Sequence, residues 1–133
     1  MTDSYNQGAI NLLEGSPISV QTPDATPLII QLGAISDGGS LTVDIIGGGS
    51  DADPLLVSAN NYIAFSAKAI FTRAGAIGVV TPAGGAITVV GFGLAPVLTF
   101  TVENGPLLST CQLTIIGPAI PYNHRLKFST IQF

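Results

Sequence analysis

Ser109-Thr110-Cys111-Gln112-Leu113-Thr114-Ile115-Ile116 is the stretch that decides the fold. In an extended chain successive side chains point to opposite faces, so Cys111, Leu113 and Ile115 share one face while Thr110, Gln112 and Thr114 share the other. Residues 96–103 repeat the pattern, with Leu98, Phe100 and Val102 inward and Val97, Thr99 and Thr101 outward. An apolar face backed by a threonine-bearing face is what an antiparallel sheet needs when one side meets the core and the other meets water.

The same period of two extends outward from this pair. No apolar i, i+3, i+4, i+7 series is sustained anywhere, and 16 glycines and 9 prolines interrupt the chain every few residues. Candidate strands fall at 28–34, 40–46, 61–73, 76–81, 86–92, 96–103, 109–116 and 126–133. Between them Ser36-Asp37-Gly38-Gly39, Pro82-Ala83-Gly84-Gly85 and Asn104-Gly105-Pro106 supply residues that accept positive φ, which predicts hairpins. About eight strands predict an all-β protein, an antiparallel β-sandwich of jelly-roll-like or small-barrel form.

A chain of 133 residues holds one domain with a true core. Residues 1–27 place Pro17, Pro23 and Pro27 around Ile18-Ser19-Val20, which predicts an extended N-terminal arm or edge segment and leaves residues 28–133 as the β domain. Elsewhere apolar residues are adjacent, as in Leu28-Ile29-Ile30, Val79-Val80, Val89-Val90 and Ile115-Ile116. Such runs predict strands that bury both faces, the second against a partner.

Charge is scarce. Lys, Arg, Asp and Glu make up 9% of the chain, against roughly 25% in an average soluble domain. Four basic and eight acidic side chains would each have to serve on the order of 500 Å² of a monomer's surface. With hydrophobic residues at 47% and mean hydropathy at +0.55, exposed apolar patches follow, and such patches mark contacts with other chains.

Composition also excludes functions. A net charge of −4, with only Lys68, Arg73, Arg125 and Lys127 positive, gives no basic stripe for phosphates, so nucleic acid is not an expected partner. The uncharged stretch 74–102 is long enough for a membrane span, but Pro82, Pro96 and its glycines cut it into strand-sized pieces, so no membrane partner is expected. The alternating end Lys127-Phe128-Ser129-Thr130-Ile131-Gln132-Phe133 suits an outer-membrane barrel strand. The start, Met1-Thr2-Asp3-Ser4-Tyr5, lacks the form of a secretory signal and weighs against that reading, in favour of synthesis in a cytoplasm.

No catalytic constellation stands out. His124 is the single histidine and Cys111 the single cysteine; a nucleophile–base pair would have to join them across the fold. The plainer expectation is a turn histidine ahead of the last strand and a buried core thiol. Asp51 and Asp53, with Asp44 nearby, offer oxygen ligands, yet their spacing does not fill a calcium loop, so Gly47-Gly48-Gly49-Ser50-Asp51-Ala52-Asp53-Pro54 reads as an acidic loop. Its glycines lack the Gly-Lys-Ser/Thr ending of a phosphate cradle, and Gly91-Phe92-Gly93-Leu94-Ala95-Pro96 lacks the third glycine of a dinucleotide fingerprint. Glu14 and Glu103 could meet as a carboxylate pair but read as solvated acids. Tyr62 and Tyr122 are the remaining contact candidates, expected in the core or at its rim. No enzyme activity, cofactor or metal is expected.

Three segments carry a resemblance: Val20-Gln21-Thr22-Pro23-Asp24-Ala25-Thr26-Pro27, Asn61-Tyr62-Ile63-Ala64-Phe65-Ser66-Ala67-Lys68-Ala69 and Gly85-Ala86-Ile87-Thr88-Val89-Val90-Gly91. Together they resemble small β modules of bacteriophage virion structural proteins, found in tails, fibres and capsid decorations. Arg125-Leu126-Lys127-Phe128 lacks the tryptophan that the closing strand of such modules often bears. The resemblance implies a virion protein made in the host cytoplasm, above all a capsid decoration or cement protein bound to major capsid protein or other virion subunits as a homo-oligomer, a trimer by analogy. The alternative it implies is a tail, fibre or baseplate module that binds a host surface.

Overall fold

The computed structural model describes residues 5–6, 9–11, 16–51 and 61–133, with side chains for the last two ranges. Its strands are β1 (Tyr5–Asn6), β2 (Ala9–Asn11), β3 (Ile18–Thr22), β4 (Leu28–Ile35), β5 (Ser40–Asp51), β6 (Tyr62–Ala74), β7 (Ile77–Phe92), β8 (Val97–Asn104), β9 (Ser109–Ile116) and β10 (Tyr122–Gln132). Eight of them, β3 to β10, form an all-β sandwich without a helix among the described residues. One sheet runs β3-β10-β5-β6-β7 and the other β4-β9-β8, prolonged at its β4 edge by β2 and β1. Neighbours are antiparallel except β2 and β4.

Alternation builds the core. Along β6 the odd-numbered residues from Ile63 to Arg73 are buried and the even-numbered ones exposed. Phe65, Ala67 and Phe71 of that strand meet Leu41, Val43 and Ile45 of β5 and, across the sandwich, Ile30, Leu98, Phe100, Leu113 and Ile115. The apolar face read from residues 96–116 is as expected, with Cys111, Leu113 and Ile115 wholly buried, Leu98 and Phe100 nearly so and Val102 partly. On the face expected to meet water, however, Gln112 is buried, its Oε1 accepting from Thr101 Oγ1 at 3.4 Å. Phe71 and Phe100 join the sheets edge to face at 6.0 Å between centroids, a favoured ring geometry.

Two of the expected turns reverse the chain, but only Asn104-Gly105-Pro106 closes a hairpin, between β8 and β9; Ser36-Asp37-Gly38-Gly39 carries the chain from β4 in one sheet to β5 in the other. Gly38, at φ 79°, lets Gly39 N–H donate to Ser36 O at 2.9 Å, and Gly105 N–H donates to Leu108 O at 2.8 Å between β8 and β9. The third does not reverse the chain. Residues 76–81 and 86–92 belong to one strand, β7, bent at Pro82-Ala83-Gly84-Gly85, where the Thr81–Pro82 peptide is cis and Gly84 and Gly85 sit at φ 74° and 88°. The thirteen-residue β6 pairs with both halves, and the register slips between Lys68 and Ile70 to absorb the bend. Positive φ served a bulge here instead of a turn.

Gly47-Gly48-Gly49 is a second correction: it is the middle of β5, not a loop. A Cβ on Gly47 would lie 2.7 Å from Phe65 Cζ, and one on Gly49 2.7 Å from Tyr122 Cε2, so glycine there lets two rings press on the strand. The last strand likewise begins at Tyr122, four residues before the expected start, and His124 lies inside it, paired with Val20 and Gly49. Segment 18–22 is the edge strand of the larger sheet, flanked by Pro17 and Pro23.

Candidate interaction surface

The outer face of the larger sheet follows from register. The pairings Tyr62 with Phe92, Ala64 with Val90, Ile70 with Thr81, Thr72 with Val79 and Ala74 with Ile77 place these side chains in cross-strand rows. Phe92 is 65% exposed, Val90 62% and Ile77 63%, and the Tyr62 and Phe92 rings stack at 6.2 Å. Toward the centre of the sheet the face also carries Ile46 and, across it, the Lys68–Asp44 pair at 3.6 Å, both partners well exposed. Such a pair adds little stability.

The adjacent apolar residues divide between the two faces of their strands. Val89 points inward and Val90 outward, yet both are exposed, as are Val79 and Ile116. In this chain the second apolar face is bare. Fifteen large hydrophobic side chains among the described residues are more than a third exposed.

A groove of about 590 Å³ crosses the same face between the glycine triplet and Ile46 of β5 and Arg125 and Lys127 of β10, with Pro17 at one side. The triplet leaves no side chains to fill it. Arg125 and Lys127 are exposed and form no ion pair or hydrogen bond among the described residues, whereas Lys68 pairs with Asp44 and Arg73 is buried. The sequence hid this because the four cations are spread over 60 residues; only the β10 register sets two of them beside the glycines.

Buried polar groups serve the scaffold. Arg73 donates through Nε to Gly75 O at 2.8 Å, through Nη1 to Ser109 Oγ at 3.2 Å and through Nη2 to Pro106 O at 3.2 Å, which ties the β6–β7 hairpin to the β8–β9 turn. At the other end Nε2 of His124 lies 2.8 Å from Thr22 Oγ1, beside the Tyr122 ring. Burial pulls the His124 imidazole down to about 4.

That shift gives a signed pH dependence. A histidine held neutral in the fold, with an unfolded value near 6.5, contributes stability that is complete above the unfolded value and lost as pH falls towards the folded one. Between about pH 7 and about pH 5 the loss from this group is about 2 kcal/mol. Urea unfolding followed at the two pH values should show it in the native chain, and His124→Gln should lose most of the difference.

Among the described residues the other sequence candidates do not converge. Cys111 is fully buried, its thiol pushed up to about 12 by desolvation, and it lies on β9 while His124 lies on β10 in the opposite sheet. Asp51 is buried and accepts from Asn61 N and Nδ2 at 3.0 and 2.9 Å. Asp44 is held by Lys68, and Glu103 is exposed on β8. Glu14 and Asp53 lie outside the described residues. Tyr62 is exposed and Tyr122 wholly buried. Among the described residues no three His, Cys, Asp or Glu side chains gather as metal ligands, and no helix is long and apolar enough to cross a membrane.

No protein-family model matches the chain, and no curated protein matches it. Among solved structures it is similar to the tailspike protein of Acinetobacter phage vB_ApiP_P1, at 9% identity and a TM-score of 0.33, over 86% of this chain and 22% of that one. The chain spans about a fifth of that tailspike's length, and a likeness of this size says nothing about activity or assembly.

Proposed function

We propose that the chain is a non-enzymatic structural subunit of a bacteriophage virion, acting as a capsid decoration or cement protein. The observation that carries the reading is the bare apolar surface of the larger sheet, supported by the resemblance in residues 20–27, 61–69 and 85–91. Each 100 Å² of that surface buried on a neighbour contributes about 2.5 kcal/mol before ordering costs. Repetition over a symmetric shell multiplies a weak contact into a firm one. Its task is mechanical: a rigid sandwich held against shell subunits or its own copies.

Particles purified on a density gradient from cells that make this chain should contain it in fixed proportion to the shell subunit, and electron microscopy should place it on the shell. Finding the chain only in the unassembled fraction would contradict the proposal. The groove beside Arg125 and Lys127 favours the second reading, a tail, fibre or baseplate module that holds an acidic ligand of a host surface. Location at the tail, with retention on host-surface glycans that Arg125→Gln abolishes, would replace the shell reading by this one.

A further inference from the structure

Among the described residues the two sheets have four outer edges, and three are guarded. β3 is short and flanked by Pro17 and Pro23, and β1 spans two residues. β8 is held by the first half of β7 and its bend, where Gly78 N–H donates to Asn104 Oδ1 at 2.8 Å and Gly85 fits under Phe100, and it carries Glu103. The fourth edge, residues 86–92 of β7, pairs with β6 on one side and, among the described residues, has no strand on the other. It reads Ala86-Ile87-Thr88-Val89-Val90-Gly91-Phe92, without a charge or a proline, the devices that keep natural edges from pairing.

An antiparallel strand brings its own backbone groups to such an edge, and its side chains must fit those already there. Turned about Val89, this strand fits itself. Ala86 falls opposite Phe92 and Ile87 opposite Gly91, small against large both times, while Thr88 faces Val90 and Val89 faces its own copy. The pairing also brings no charge near its like, which matters for a chain of net charge −4. On the outer face the Phe92 and Tyr62 rings of one copy would cover Ala86 of the other.

We infer that residues 86–92 are the docking edge for a second copy of this chain, joined antiparallel across a two-fold axis at Val89 so that the two larger sheets become continuous. The inference deepens the structural reading above and rests on it. An edge of seven residues, about 23 Å long, covers less than the roughly 800 Å² per partner of a standard interface. Pairing in isolation is therefore reversible and concentration dependent.

Cysteine cross-linking tests the axis. Val89 is 39% exposed and Ile46, on β5, 61% exposed, so either position accepts substitution, and the native Cys111 thiol is buried. Directly opposed residues of an antiparallel pair have Cα atoms about 4.5–5.5 Å apart, inside the range of a disulfide. Val89→Cys should oxidise to a covalent dimer many times faster than Ile46→Cys. Val89→Lys, with an unchanged circular dichroism spectrum, should sediment as a monomer, as should Val89→Asp, and an equimolar mixture of the two should restore the dimer. Equal cross-linking at the two positions, or a Val89→Lys chain that dimerises like the native one, would overturn the inference. Chain bound in particles without Val89→Cys cross-linking sinks the edge and leaves the virion reading; efficient cross-linking of a chain absent from particles does the reverse.

Discussion

Phe100→Ala lowers the free energy of unfolding by about 3–5 kcal/mol, the range for emptying a buried aromatic site. Phe100 is 1% exposed, packs edge to face on Phe71 of the facing sheet and roofs Gly85, so its loss opens a void that no single neighbour can fill. Urea unfolding followed by circular dichroism measures the loss as a drop in midpoint at constant slope. A cycle with Gly85→Ala separates two causes. A Cβ at Gly85 collides with the Phe100 ring, and φ 88° is costly for any other residue, so Gly85→Ala alone should cost about 2–4 kcal/mol. In the Phe100→Ala background the collision disappears and only the backbone part remains, so the second substitution should cost clearly less than the first measurement gave. Additive costs would show that the ring and the bulge are independent.

Gly49→Val is expected to be worse than a helix or loop glycine change would be, with a loss of about 3 kcal/mol or more and poor yield of folded chain. The branched Cβ would drive into Asn123 O and the Tyr122 ring, and the β5–β10 ladder on which His124 and Leu126 depend would have to part. Gly38→Val is the comparison: its Cβ meets nothing within 4 Å, so only the φ 79° conformation opposes it. Soluble yield and urea midpoint of the two variants decide the matter; equal, mild losses would place the triplet in a tolerant loop after all.

That contrast also marks where the sequence was legible. The period of two in residues 96–116 fixes which side of β8 and β9 faces the core, because burying Leu98, Phe100, Leu113 and Ile115 together admits one register. Ser36–Gly39 and Asn104–Pro106 were readable as turns for the same local reason, side chains and glycines that bend the backbone without help. Gly47-Gly48-Gly49 was not, since glycine permits a loop by its own freedom and a crowded strand by lacking a side chain, and only the Phe65 and Tyr122 rings, far along the chain, choose between them. Pro82–Gly85 failed similarly: its residues suit a hairpin or a bulge, and the length of β6 selected the bulge.

The surface was half legible. Scarce charge and paired valines implied apolar area in excess of what the core can take, and Val89, Val90, Phe92 and Ile77 are bare as that requires. Which edge stays open could not be read, because guarding is a property of neighbours: β8 is covered by a segment of β7 brought there by the bend. His124 shows the same limit, since a turn residue and a buried one differ only in whether Thr22 and Gly49 stand beside it.

Sedimentation velocity of the purified native chain from about 1 to about 100 μM puts the central claim, that its bare sheet joins copies together, to the most direct test. The expected record is a sedimentation coefficient that rises with concentration towards a dimer or larger closed form and returns to the monomer value in Val89→Lys. A native chain that stays a single monomeric species across the whole range would contradict it.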